Sequence, residues 1–315
     1  MQGSESVAVM TKEKYRPVQT FIYTGFALGA FATNSVLCRM ALRETAIDAA
    51  SFLTIRLVSG ATILLLISRV FGEKHLAESR GYWASAIMLF LYAAAFSFAY
   101  LSLSAGTGAL ILFGTVQATM IFSALRSGER PYALEWIGLF LALVGLVYLV
   151  FPGLMTPSAM GSVFMVVAGI SWGMYSLRGR GTIDPLADTT NSFVRSLPLV
   201  VGVSLISFQN SHLSAKGILL AVLSGALASG VGYATWYAAL RGLTTTQAAT
   251  VQLLVPVLAA LGGVIFLSEN ISIRLLLAAI MILGGVGLAV TGRRQSDRHP
   301  TSRADDRANQ SADQV

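Results

Sequence analysis

Charge is withheld from long stretches of this chain. From Gly81 to Leu125, forty-five residues pass without Asp, Glu, Lys, Arg or His, and from Trp136 to Leu177 another forty-two do the same. A helix crosses the hydrocarbon core of a bilayer in about 20 apolar residues, so each run predicts two crossings joined by a short turn. Reading the charged turns as boundaries extends this to ten helices, at about 19–40, 50–71, 81–103, 107–126, 132–151, 159–178, 188–207, 216–240, 244–267 and 271–291. The expected fold class is all-α and integral to the membrane.

An even number of crossings puts both ends of the chain on one side. With that side as the inside, sixteen Lys and Arg fall in inner segments and four (Arg39, Arg43, Lys216 and Arg274) in outer ones. The positive-inside rule then predicts cytoplasmic termini and a multi-pass protein of the cell (inner) membrane. Pro17 to Cys38 is longer than the roughly 7–15 apolar residues of a signal-peptide core, so the first segment is expected to remain. The polar stretch 293–315 has no apolar period and reads as a disordered cytoplasmic tail.

Composition agrees and removes other classes. Charged residues are 12% and hydrophobic ones 55% of the chain, against about 25% charged in a typical soluble domain. The net charge of +7 sits in loops and termini without interleaved aromatics, which speaks for membrane orientation and against nucleic acid as a partner. One cysteine, Cys38, permits no internal disulfide, and His75, His212 and His299 lie in loops or the tail. No constellation for catalysis, metal or cofactor is expected, so the chain does not read as an enzyme. The partners expected are a small-molecule substrate and the lipid bilayer, with a monomer favoured over a homodimer.

The halves echo each other at a spacing of 140 residues. Gly29 matches Gly169, Glu129 matches Glu269, Gly145 matches Gly285, and Arg56 and Arg195 are 139 apart. A unit of five helices is odd, so a second copy would enter the membrane from the opposite side. Inverted repeats of that kind place a substrate site at the repeat interface near the midplane.

Several motifs carry a family likeness. Ser127-Gly128-Glu129-Arg130-Pro131 with Gly138 and Gly145 resembles the join between the fourth and fifth helices of the EamA repeat. Val255-Pro256-Val257 through Phe266-Leu267-Ser268-Glu269, with Gly284 and Gly285, resembles the same join in a second copy. Ser171-Trp172-Gly173-Met174-Tyr175 is similar to the opening of the repeat, as is Gly29 to Arg39 with Asn34-Ser35, although Thr33 stands where a tryptophan–glycine pair is usual nearby. The resemblance spans about residues 20–291. It implies the drug/metabolite transporter superfamily and ten-helix metabolite exporters of the YddG type, with EamA repeats at 19–152 and 153–292 between the N-terminal segment 1–18 and the tail. Such proteins export amino acids and related amphipathic solutes by alternating access. Efflux of drugs or aromatic cations is the alternative, and a channel a further one.

Within the helices, Arg56 and Arg195 are the exceptional charges. Each is either a gate or anchor for a substrate carboxylate, which a guanidinium binds bidentately, or a structural residue that snorkels or caps carbonyls. Off-centre depth favours the structural reading. Glu129 and Glu269 read as helix N-terminal caps. No Asp or Glu lies deep in a segment, so transport driven by the substrate gradient is expected rather than proton coupling through a carboxylate. Polar and aromatic positions remain for a substrate site: Asn34, Tyr92, Phe96, Gln117, Trp172, Tyr175, Tyr233, Trp236 and Gln252. Phe113, Ser171 and Thr245 lie near them in register. Tyr92, Phe96 and Tyr100 form an i, i+4, i+8 stripe, and Tyr100 and Tyr237 are expected at opposite ends as gating or structural residues. Interfacial belts and inter-helix bonds are the bland alternatives for these side chains. Pro256 is expected to interrupt helix nine. The pairs Gly25/Gly29, Gly169/Gly173 and Gly138/Ala142 have the spacing that lets helices approach closely.

Overall fold

A computed structural model describes residues 17–44, 46–71, 83–126, 133–150, 157–179, 182, 184–243, 248 and 251–297. Among them are ten long helical segments: α1 (Pro17–Arg43), α2 (Ala49–Phe71), α3 (Trp83–Ala99), α4 (Ala105–Arg126), α5 (Ala133–Val150), α6 (Ala159–Gly179), α7 (Pro185–Ser207), α8 (Ala215–Leu240), α9 (Leu254–Leu267) and α10 (Ile273–Asp297). Six of them, α1, α2, α4, α6, α7 and α8, are long and apolar enough to cross a membrane. Apolar side chains also cover the outside: Phe21, Phe140, Ile206, Ile265 and Phe266 are all well exposed. Such a surface suits lipid, in which the helix satisfies its own backbone.

Local chemistry sets the helix ends. Asp184 caps α7 by accepting from the Ala187 N–H at 2.9 Å, with Pro185 at the first helical position. Ser214 caps α8 through the Gly217 N–H, and Asp48 accepts from the Ser51 N–H in the first turn of α2. Pro256 sits in the first turn of α9, after a turn at Leu253. Helical residues Val251 and Gln252 precede that turn, so the path expected for helix nine is interrupted here, where Pro256 has no N–H to offer the Gln252 carbonyl. α3 is shorter than expected and ends at Ala99, the chain turning through Tyr100–Ser102. α10 runs to Asp297, into the segment read as tail.

α1, α2, α3, α4, α6 and α8 surround the buried centre, with α7 against α2 and α9 against α1 and α4. α5 packs mainly on α10. Of the three small-residue pairs, two make close crossings. A Cβ on Gly169 would stand 2.6 Å from Thr115 Cβ, and one on Gly285 would stand 2.5 Å from the Gly138 carbonyl and 2.6 Å from Ala142 N. Gly25 and Gly29 face nothing within 4 Å, so their spacing reflects no helix contact here.

Candidate functional site

Arg56 is the eighth residue of α2, about 10 Å into the helix at 1.5 Å per residue. It is fully buried. Its Nε donates to Ser229 Oγ at 2.9 Å, and its Nη2 donates to the Tyr233 hydroxyl at 2.8 Å and the Tyr92 hydroxyl at 3.3 Å. The guanidinium also lies 4.8 Å from the ring centroid of Phe96 and 5.3 Å from that of Tyr92. It reaches neither water nor a backbone carbonyl, and among the described residues it has no ion-pair partner.

The helix that answers it, α8, is not a regular α-helix. Ser224–Val231 forms a π-helical turn inside it. In an α-helix residues five apart point about 140° away from each other, whereas i→i+5 bonding brings them toward one side. Ser224 and Ser229 are five apart, and both meet the site: Ser229 holds Arg56, and Ser224 donates to Asn34 Oδ1 at 2.6 Å. Gly225 permits this approach, since a Cβ there would stand 2.1 Å from the Arg56 carbonyl. Asn34 Nδ2 in turn donates to the Tyr92 hydroxyl at 3.3 Å, and the Tyr233 hydroxyl lies 3.0 Å from it.

Aromatic rings enclose this polar network. Trp172 lies 4.6 Å from Tyr233, 5.0 Å from Tyr92 and 5.6 Å from Tyr175, by ring centroids. Phe31 sits edge-on to Trp172, Tyr233 and Trp236. The α3 stripe is continuous, with Tyr92–Phe96 at 5.4 Å and Phe96–Tyr100 at 4.7 Å. Tyr237 stacks on Tyr175 at 5.1 Å and donates to its carbonyl at 3.0 Å, at the far end of the cluster from Tyr100. Trp172 Nε1 donates to Gln252 Oε1 at 3.4 Å.

Asn34, Tyr92, Phe96, Trp172, Tyr175, Tyr233, Trp236 and Gln252 are thus joined in one buried cluster with Tyr100, Tyr237 and Arg56. Gln117, Phe113, Ser171 and Pro256 are buried as well. Thr245 and Glu129 lie outside the described residues. Arg195 is half-buried and shares its side of α7 with Pro198, Gly202 and Ile206, all exposed. Three members were not among the expected residues: Phe31, Ser224 and Ser229. Phe31 lies three residues before Asn34, a spacing that places both on one helix face and could have revealed it. The two serines carry no such signal, because their alignment needs the π turn.

Glu269 also departs from expectation. It caps α4 in place of α10: its Oε2 accepts from the Ala105 N–H at 2.8 Å, while Oε1 pairs with Arg39 Nε at 3.3 Å. Ser268 makes this possible by taking a left-handed conformation (φ 51°), so that the Glu269 N–H bonds the Gly263 carbonyl and the chain turns back. Arg39 Nη1 donates to the carbonyls of Tyr100 and Leu101, and Arg43 to that of Leu267. One end of the bundle is therefore tied shut across α1, the α3–α4 turn and the α9–α10 turn.

A multi-pass membrane protein with a buried polar and aromatic centre is the class these features define. Residues 159–291 match the EamA-like transporter family. An uncharacterized protein of Pseudomonas aeruginosa is 47% identical over 275 residues, covering 87% of this chain and 96% of its own. The threonine/homoserine exporter RhtA of Escherichia coli is 30% identical over 182 residues, 55% of this chain and 60% of that one. A crystal structure 18% identical in sequence superposes with a TM-score of 0.63 over 89% of this chain and 99% of its own, which shows a shared fold. The second part of the chain, residues 159–291, is thus similar to the EamA-like transporter family.

Proposed function

We propose that the protein is a secondary transporter that exports small metabolites, amino acids or related amphipathic solutes, by alternating access. The observation that carries this reading is the buried Arg56 network walled by Trp172, Tyr233, Tyr92 and Phe31, where helices from both halves of the chain meet. It offers polar donors for one end of a solute and ring faces for the other, the usual make-up of a small-molecule site. The exporter of threonine and homoserine among its relatives supports the same class.

In this reading the two halves, 19–152 and 153–292, are inverted five-helix repeats of a ten-helix exporter of the YddG type. Both termini are cytoplasmic in the cell membrane, and the working unit is a monomer. The Arg39–Glu269 end then faces outward, and opening it means releasing α1 from the α3–α4 and α9–α10 turns. Transport follows the solute gradient, since no deep carboxylate is available to carry a proton. Efflux of aromatic cations is supported by the ring-lined centre, but the guanidinium at its heart repels a cation.

Purified protein in proteoliposomes, offered labelled amino acids, nucleosides and dyes with and without a pH gradient, tests the proposal. Uptake of amphipathic metabolites without a pH gradient is expected. Uptake of cationic dyes alone, or strict dependence on the pH gradient, overturns it. Reporter fusions after Arg16 and at Val315 should both read as cytoplasmic.

A further inference from the structure

Arg56 has five N–H donors, and the structure satisfies only those on Nε and Nη2. Nη1 is buried and has no hydrogen-bond partner. A second donor in the same cluster, Trp236 Nε1, is likewise buried and unpartnered. Neither atom can accept a hydrogen bond, so the ligand that completes them must bring acceptors.

The surroundings say which kind of acceptor. Every group bonded to Arg56 is a neutral hydroxyl, from Ser229, Tyr92 or Tyr233. Acids do lie elsewhere, but the described ion pairs join Glu269 to Arg39 and Glu44 to Lys216, away from it. A buried guanidinium without a counter-charge is unfavourable, and an anionic ligand removes that penalty. The π turn of α8 serves this network, since it sets Ser229 on Arg56 and Ser224 on Asn34. Ring faces of Phe31, Trp172 and Trp236 continue from the polar network, so the ligand carries an apolar body next to its charge.

We propose that the exported solute is a small organic carboxylate, with its acid group bound by Arg56 Nη1 and its carbon skeleton against Phe31, Trp172 and Trp236. This rests on the transporter reading for the site's purpose, though binding can be measured apart from transport. The acid end carries recognition. The residues bonded to Arg56 include no carboxylate to pair with an ammonium, so an α-amino group is tolerated and not required.

Trp172 and Trp236 report on their own site, so the full chain in detergent can be titrated by intrinsic fluorescence. Phenylacetate, phenylalanine and threonine are compared with phenylalaninamide and threoninamide. The acids should change the signal with an apparent affinity at least about tenfold above their amides, equivalent to one hydrogen bond to a charged group. Arg56→Gln should abolish the response to the acids, and Arg56→Lys, which keeps the charge, should retain part of it. The acid-against-amide contrast in the unmodified protein stands even if a variant does not fold. Amides binding as well as acids, a folded Arg56→Gln protein responding like the parent, or no response to any acid at millimolar concentration overturns the proposal. Acid binding without transport of any solute would leave the carboxylate site standing and defeat the transporter reading. Transport of uncharged or cationic solutes that ignores Arg56→Gln would do the reverse.

Discussion

Arg56 and Arg195 are near-counterparts in sequence, and the structure gives them opposite surroundings. Each lies within a membrane helix, where a central arginine costs about 2.5–3.5 kcal/mol on insertion scales. Arg56 points inward and is fully buried, held by three hydroxyls and two ring faces. Arg195 shares the outward side of α7 with Pro198, Gly202 and Ile206 and stays partly exposed, with no hydrogen bond or ion pair among the described residues. Its long stem can carry the charge along the helix surface toward water, which lowers the cost without any partner. The same residue type in two different helices is therefore handled in two ways. One arginine has an environment built around it, and the other escapes its environment.

The largest expected effect separates the two directly. Arg56→Gln removes charge-assisted bonds worth about 1.5–3 kcal/mol each, so transport of a carboxylate solute should fall by about tenfold or more. Arg195→Gln should leave transport within about twofold, as surface substitutions usually do. Equal losses in both, at equal amounts of membrane protein, would erase the distinction.

A smaller effect is expected at the ring wall. Trp172→Phe keeps most of the bulk and removes the bond to Gln252, worth about 0.5–1.5 kcal/mol. Apparent affinity should weaken by about two- to twelvefold, with the amount of protein in the membrane unchanged. An affinity equal to the parent's would show that Gln252 does not position this ring.

At the tied end, Glu269→Gln keeps an acceptor for Ala105 and loses the ionic bond to Arg39. Its effect should be a few-fold change in turnover, of about 1 kcal/mol, with apparent affinity little altered because the rings are untouched. A change confined to affinity would place this end in binding and not in gating.

The smallest effect concerns the junction of the α1–α2 and α7–α8 loops. Burial pushes the Asp48 carboxyl up, but N–H groups of Ser51 and His212 bond it and hold it below the ordinary carboxylate value. A carboxyl lowered on folding stabilises the native state at neutral pH, and that contribution is lost as pH falls through its folded value, below about pH 4. Asp48→Ala should destabilise the protein at pH 7 by about 0.5 kcal/mol, the low end for a lost cap at a mostly exposed carboxylate, seen as a slightly lower thermal midpoint. Asp48→Asn, still a good cap, should lose mainly the acid-dependent part. A parent protein whose midpoint is flat down to pH 3 would remove Asp48 as the cause.

Much of the helical layout was legible beforehand, because lipid forbids unsatisfied backbone and charge alike. The ends of α2, α4, α6 and α8 lie within two residues of the boundaries expected for them. The aromatic stripe Tyr92, Phe96 and Tyr100 was legible from helical spacing, and the rings do follow one another in space. Gly25 and Gly29 show the limit, having the spacing of a helix crossing but no neighbour. Spacing tells which residues share a face and is silent on what that face meets.

Glu269 illustrates the same limit for charge. Its position by a helix start was readable, yet the helix it caps is α4, more than a hundred and sixty residues away, reached through the left-handed turn at Ser268. The serine pair in α8 was beyond reach for a different reason. Ser224 and Ser229 align only because the backbone there is π-helical, in a segment where Gly225 lies close against α2.

By itself the sequence determined that this chain lives in a membrane, where its helices run and which residue types are available for a site. Those follow from the cost of charge and bare backbone in hydrocarbon, which acts on each segment separately. Tertiary structure alone decided that Arg56 faces inward and Arg195 outward, which rings enclose the guanidinium, and that Nη1 is left without a partner. These are relations between helices. They arise where α1, α2, α3, α6 and α8 meet at the buried centre, and no single helix contains them.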